Sequence, residues 1–502
     1  MEHSKRSISK RILSLGLALG IAGAAAALDG CAVGPDFVRP APPKEDRYTA
    51  GPTPVQIAPA GGAAGQEIHL GQEIAAQWWT LFNVPALDGV LKEALEKSPT
   101  LAAARATLAA NLEAVTAARG GFFPQLDASA GFTRQKPSAF SQQNSFPGAN
   151  TQSTDLYSLG ATVSYAPDVF GGLRRKVEQQ QSLAEYQRDE LAAAYLSLTG
   201  NSVTQAVTIA SLRAQIQATE DVIADDEQNL ALVRLKYEAG KAARTDVLTA
   251  ETQLASDRTG LPPLRQQLSA ARHALSILSG RGPGEWSPPD FDLNAFRLPH
   301  DLPLTLPAEL VRRRPDILAA EAQLHASSAA IGVAAAQLYP ALTLSGSLGQ
   351  EAPGIDTLFK EINQFWSLAA NLSGPLFHGG SLRAQKRAAV DTYHATLATY
   401  EQTVLQGLQQ VADTLQALQH DAQLMAAAAQ LLQTANDSLA LQRLSYQSGK
   451  SDILQLIIAE RAYQEARLTY ARAGAQQLLD TTQLFVALGG GWWQTEIAHA
   501  SG

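Results

Sequence analysis

The chain has 502 residues, a formal net charge of −8, 45% hydrophobic residues and a single cysteine. The acidic balance argues against nucleic acid as a partner, and one cysteine excludes an internal disulfide, so packing alone must hold the fold. The length leaves room for several cores or for one long repeated assembly.

Residues 1–30 carry the three parts of a secretory signal: Lys5, Arg6, Lys10 and Arg11, then an apolar run from Ile12 to Leu28, then small residues. The Ala and Gly content of that run favours a removed leader over a membrane anchor. Its removal would take the net charge to about −10. Cys31 follows Gly30 directly, a placement that resembles the bacterial lipoprotein signal, in which the cysteine becomes the first mature residue and carries acyl chains. Asp29 departs from that pattern, which has a small or uncharged residue there, and an exported protein with an incidental cysteine is the alternative. Ala32 stands where an inner-membrane retention signal would have aspartate, so the resemblance points to the outer membrane. Beyond the leader no run reaches the length of a spanning helix, so a membrane crossing would require a barrel.

Residues 31–87 read as an extended, lipidated N-terminal segment, and residues 88–280 as the first of two structural repeats. A helical stretch from Ser98 leads to two segments of strict alternation, near 124–134 and 156–166. Leu126, Ala128, Ala130 and Phe132 alternate with Asp127, Ser129, Gly131 and Thr133; Tyr157, Leu159, Ala161, Val163 and Tyr165 alternate with Ser158, Gly160, Thr162 and Ser164. Each is close to the roughly 9–11 residues a tilted strand needs to cross a bilayer, although a half-buried soluble sheet would alternate in the same way. Gly171 and Gly172 follow, where a strand must bend into a helix. From Leu173 to Ala239 there is no proline, which predicts one helix of about 100 Å. Leu212, Ile216, Thr219, Ile223, Asp226, Leu230, Val233 and Tyr237 keep a 4,3 spacing along it, a seam for lengthwise helix packing. A turn at Gly240 returns the chain, and Pro262 and Pro263 should kink or break the returning helix.

Residues 281–306 form a proline-rich linker, and residues 307–489 repeat the first half. "RPDILAAEAQL" from Arg314 answers "SPTLAAARATL" from Ser98, and "LSYQSGKSDILQLIIAERAY" at 444 answers "LKYEAGKAARTDVLTAETQL" at 235. With "GPLFHGGSLRA" at 374 answering "APDVFGGLRRK" at 166, three landmarks in the same order indicate a tandem duplication. Alternation returns near 340–349 and 365–374, Gly379 and Gly380 take the bend, and 381–448 is again free of proline. Met425, Ala428, Leu432, Ala435, Leu439, Gln442 and Tyr446 repeat the seam before a second turn at Gly449. Residues 490–502 form a C-terminal tail.

Four spanning strands cannot close a barrel, and open edges in lipid leave backbone groups unpaired at several kcal/mol each. Copies must therefore share one. Two would give eight strands and a filled interior; three would give twelve and room for a passage. A coiled-coil rod is the alternative, but it leaves the strands without a role.

The repeat pair, "CAVGPDFVRP" at 31–40, "QWWTLF" at 77–82, "RRRPDILAAEAQL" at 312–324 and the two YxxG turns together resemble the outer membrane factor (TolC-like) family, in its NodT-type efflux lipoprotein branch. The resemblance implies a mainly α fold with a membrane β-barrel: a homotrimeric, twelve-stranded outer-membrane barrel continuous with a long periplasmic α-helical barrel. It implies docking to a periplasmic adaptor protein and an inner-membrane efflux pump, and passive export of small toxic molecules or drugs. It places Tyr237, Gly240, Tyr446 and Gly449 at the periplasmic tips. Where some relatives carry constricting aspartates, this chain has Gln455 and Ile458; Asp246 and Asp452 are the other candidates for the aperture. Helix N-terminal stabilisation would equally explain both aspartates, and interhelical packing would explain both tyrosines.

Enzyme signatures are thin. "SGKS" at 448–451 ends like a phosphate loop, but Leu444 stands where that loop needs glycine. The nine histidines are dispersed without metal-ligand spacing, and Met425 is the only methionine besides the initiator, so no metal or other cofactor is expected. A periplasmic coiled-coil lipoprotein of structural or adaptor type and an exported enzyme remain the rival classes.

Overall fold

The computed structural model describes residues 32–51, 56–59, 65–136 and 153–492; Cys31 and the leader lie outside them. In chain order the main elements are β1 (Gln56–Ile57), β2 (Gln66–Leu70), a 3-10 turn (Trp78–Phe82), α1 (Pro85–Lys97), α2 (Pro99–Gly120), β3 (Gln125–Gln135), β4 (Thr154–Tyr165), α3 (Gly172–Glu238), α4 (Arg244–Leu278), β5 (Asp301–Leu304), α5 (Pro307–Leu310), α6 (Pro315–Ala336), β6 (Ala341–Ala352), β7 (Gln364–Ser373), α7 (Ser381–Gln447) and α8 (Ile453–Ala487). The halves match in length: α3 and α7 have 67 residues each, α4 and α8 have 35, and α2 and α6 have 22. Both long helices fill the proline-free windows and stop where glycine can take a positive φ.

Pro262 and Pro263 lie inside α4, which is unbroken from Arg244 to Leu278. The expected break does not occur. A proline costs a helix the bond to the carbonyl four residues earlier, and here those carbonyls belong to Arg258 and Thr259, both exposed, so water can satisfy them.

Two compact units divide the chain. In the first (1–39, 109–185, 322–398), β3, β4, β6 and β7 form one antiparallel sheet in the order β3-β4-β6-β7. Its register keeps one alternation throughout. Leu126 lies opposite Val163, Phe132 opposite Tyr157, Ala161 opposite Leu348, Tyr165 opposite Leu344, and Leu348 opposite Trp366, so the apolar sets of all four strands share a face. Leu126, Trp366, Leu368 and Leu372 on that face are each more than 70% exposed. A contiguous apolar surface of that size calls for a covering that water cannot supply. Along the other face Asp127, Thr162, Ser347 and Ser367 lie side by side across all four strands, and Ser347 and Ser367 join through their hydroxyls at 2.7 Å.

The second unit (40–108, 186–321, 399–502) holds the main core. Trp78 and Phe485 stack at 5.3 Å with Phe82 edge-on, and all three are fully buried. Beside them β2 pairs antiparallel with β1 and parallel with β5. This small sheet was not expected: β5 falls in the proline-rich linker, where Pro303 still serves as an edge residue of a short ladder. Arg314 is the polar centre of the core. Its guanidinium donates to the carbonyl of Ala487 at 2.7 Å, to Gln410 Oε1 at 2.8 Å and to both carboxylate oxygens of Asp316. Ala487 is the last residue of α8, where a cation complements the helix dipole.

Candidate functional site: hairpin turns, seams and strand-to-helix bends

The turn joining α3 to α4 and the turn joining α7 to α8 are built alike. Gly240 and Gly449 sit at φ +70° and +71°. In each, the residue after the glycine donates to a carbonyl five positions back (Lys241 to Lys236, Lys450 to Ser445), and the glycine donates three back, to Tyr237 or Tyr446. This is the Schellman closure, and it accounts for the glycine in YxxG. The two tyrosines differ in setting. Tyr446 is buried under the ammonium of Lys236, 3.6 Å from its ring centroid, whereas Tyr237 is 43% exposed.

Both candidate aspartates bind helix N-termini. Asp452 caps α8, accepting from the backbone N–H of Gln455 at 3.0 Å. Asp246, in the first turn of α4, reaches back to the N–H of Ala243 at 2.9 Å. Ala243 has no side-chain acceptor, so only the reciprocal half of a capping box is present. Gln455 is exposed. Between the starts of α4 and α8 lies a groove of about 510 Å³ lined by Thr245, Leu248, Thr252, Leu454, Ile458 and Arg461.

The seams pack largely as their spacing implies. Leu212, Ile216, Thr219, Leu230 and Val233 are buried along α3, and Met425, Ala428, Ala435 and Leu439 along α7. Two carboxylates missed as special also lie inside, Asp226 and Asp421. A charged residue at a seam position was the signal available for Asp226.

Where strand passes to helix, Gly171 (φ +74°), Gly379 (+58°) and Gly380 (+84°) occupy the left-handed region, while Gly172 opens α3. Asp168 accepts from the N–H groups of Leu173 and Arg174 and so fixes the start of α3. The N-terminal segment lies over this bend. A Cβ on Gly171 would fall 2.5 Å from Ala32 Cα, and one on Gly34 equally close to Gly332. Arg175, 6% exposed, donates to Val33, Asp36 and Glu178; Glu178 also meets His325, whose ring stacks on Phe37 at 4.3 Å. Residues 32–37 are thus strapped to α3 and α6 immediately after Cys31, which lies outside the described residues. Among the described residues the matching bend in the second half is bare. Nothing stands within 4 Å of a Cβ on Gly379 or Gly380, and Leu376 and Phe377 are almost fully exposed.

A family model described as "outer membrane efflux protein" matches residues 90–281 and 306–490, well over half of the chain. The chain belongs to the outer membrane efflux protein family. A relative 30% identical is the pyoverdine export outer membrane protein OpmQ of Pseudomonas aeruginosa, the match covering 89% of this chain and 92% of that one. Nodulation protein T of Rhizobium leguminosarum bv. trifolii is 26% identical over 93% of this chain and 95% of its own. Among solved structures, the outer-membrane channel OprN superposes with TM-score 0.81 at 27% identity, covering 92% of this chain and 100% of that one. The open-state MtrE outer membrane channel of Neisseria gonorrhoeae superposes with TM-score 0.79 at 25% identity, covering 92% and 98%. OpmQ is thus named as an export outer membrane protein, and OprN and MtrE as outer-membrane channels. Among the described residues no helix is long and apolar enough to cross a membrane.

Proposed function

We propose that three copies of this chain form an outer-membrane tunnel through which a tripartite efflux system exports small toxic molecules or drugs passively, docked to a periplasmic adaptor and an inner-membrane pump. The observation that carries this reading is the sheet with two unpaired flanks. Its apolar face is continuous over four strands, and β3 and β7 lie at its edges with no strand beyond them among the described residues. In lipid such edges must be paired. Pairing β3 of one copy with β7 of the next satisfies every edge, and three copies give a twelve-stranded barrel with a lumen lined by the Asp127 face.

In this reading Cys31 carries the lipid, and the strap over Gly171 ties the anchor to the base of its own sheet. The Tyr237–Gly240 and Tyr446–Gly449 turns form the periplasmic tips that meet the adaptor, while Asp246, Asp452 and Gln455 lie toward the closed aperture. Gly171, Gly172, Gly379 and Gly380 serve the passage from barrel to helices. The reading is tested by inserting the purified full-length protein into planar bilayers. Discrete single-channel steps from a detergent-resistant trimer are expected; a water-soluble monomer without conductance would overturn it.

A further inference from the structure

Two buried carboxyls have no place in the tunnel reading. Asp226 on α3 is 5% exposed and Asp421 on α7 is 8% exposed, and each leaves Oδ2 enclosed without a hydrogen-bond partner. Each meets a second carboxyl on the returning helix of its own hairpin: Asp257 of α4 lies against Asp226, and Asp480 of α8 against Asp421. Ionised carboxylates only accept, so two of them can hydrogen-bond only by sharing a proton. The half-buried partner is held in the same way in both pairs, by a glutamine one turn earlier. Gln253 Nε2 donates to Asp257 at 2.7 Å, and Gln476 Nε2 to Asp480 at 2.9 Å.

Neighbouring cations do not neutralise these pairs. Beside Asp226 on α3, Asp225 takes Arg443 of α7 at 2.6 Å, and Glu227 takes Arg258 of α4 at 2.6 Å. Glu460 of α8 takes Asn229 at 2.6 Å and Arg443 at 3.7 Å, and its own Oε2 is enclosed without a partner. Arg461 of α8 donates to Gln253 instead. At Asp421 the charged group that acts is Asp480. Among the described residues no group of three or more His, Cys, Asp or Glu is placed to hold a metal ion. The pairs are not copies made by duplication. Ala435 stands 209 positions after Asp226, and Leu212 the same distance before Asp421.

We propose that each helical hairpin is latched by one proton shared between aspartates on its two helices, Asp226 with Asp257 and Asp421 with Asp480, and that losing these protons above neutral pH loosens the hairpins. Burial, reinforced by Asp257, pushes the Asp226 carboxyl up to about 8, and burial, reinforced by Asp480, pushes Asp421 up to about 7. An unfolded aspartate ionises near 3.8. The latch therefore stabilises fully below that value, declines as pH rises, and is exhausted once pH passes about 7 for Asp421 and about 8 for Asp226. Asp226 lies 14 residues, about 21 Å of helix, before Gly240. Loosening there releases the first turn before it reaches the main core.

The test uses full-length protein in detergent, with two readouts that do not depend on conductance. Infrared difference spectra between mildly acidic and alkaline pH should show loss of protonated-carboxyl absorbance in two components. Asp226→Asn and Asp421→Asn should each delete one, and Asp257→Asn and Asp480→Asn serve as second variants at less buried positions. Amide exchange, corrected for intrinsic pH dependence, should lose protection from pH 6 to 9 in the wild type by roughly a hundredfold in residues 220–260 and roughly tenfold in residues 415–485, and stay flat in the Asp226→Asn/Asp421→Asn double variant. A wild-type spectrum without a carboxyl component that these variants remove would overturn the proposal. Equal loss of protection in wild type and double variant would overturn it as well.

Discussion

Arg314 gives the sharpest stability prediction. It is 6% exposed, and its guanidinium joins the end of α8 (Ala487 carbonyl), α7 (Gln410) and the start of α6 (Asp316). Asp316 is 44% exposed, so its ion pair is weakened by solvent. The bond that water replaces least readily is the buried one to the Ala487 carbonyl, followed by the part-buried one to Gln410, and hydrogen bonds to a charged group contribute about 1.5–3 kcal/mol each. Lysine keeps the charge but not the fork, so Arg314→Lys should cost about 2 kcal/mol by losing one of the two. Arg314→Ala loses both and leaves a void opposite Gly407, whose missing Cβ makes room 3.3 Å from Arg314 Nε. Its cost should be about 4 kcal/mol. Urea denaturation of the detergent-solubilised protein, followed by the fluorescence of its six tryptophans, the core Trp78 among them, reads both changes as shifts in midpoint. If Arg314→Ala unfolds at the wild-type midpoint, the guanidinium does not tie these helix ends together and the reasoning fails.

Three further outcomes follow from local geometry. Gly171→Ala should displace the strap, because its Cβ would strike Ala32 as well as adopt a strained φ; protease cleavage near residue 40 should rise, while Gly379→Ala, with open space around it, should show strain of about 1 kcal/mol alone and unchanged cleavage. Asp452→Ala removes the cap of α8 and should lower stability by about 1 kcal/mol. Asp246→Ala should cost less, since it supplies only the reciprocal bond, and equal losses in denaturation midpoint would contradict that ranking. Leu348→Arg, in the middle of the apolar sheet face, should cost about 2–4 kcal/mol in lipid and reduce assembled protein on unheated gels, whereas Ser347→Arg, facing the other way, should be tolerated.

Much of the fold was legible because its determinants are local. Proline-free windows set α3 and α7 to within a residue of their observed ends, and alternation at Leu126–Phe132 or Leu342–Leu348 fixes which face of a strand is apolar whatever its partner. The register carrying those faces across β4 and β6 joins segments nearly 200 residues apart, and no local signal states it. Pro262 and Pro263 do not break α4, because sequence propensity counts the lost bond without seeing that exposed carbonyls can turn to water. The β1-β2-β5 sheet was hidden by composition: Pro303 argues against a strand unless the strand is short and paired on one side. At the hairpin turns, glycine spacing indicates the closure, yet the burial of Tyr446 under Lys236 and the exposure of Tyr237 depend on neighbours from the other hairpin. Asp226 was visible at a seam position, but its partner Asp257 was not, since the pairing depends on how α3 and α4 face each other.

The tunnel stands or falls on β3 of one copy meeting β7 of another. In a Cys31→Ser background, which leaves no native thiol, cysteines placed at Ala128 in β3 and scanned along β7 can be oxidised in outer-membrane fractions and resolved on denaturing gels. A covalent ladder ending at three copies for one register is predicted. Monomer at every register, or a disulfide closing only within one chain, would contradict the shared barrel.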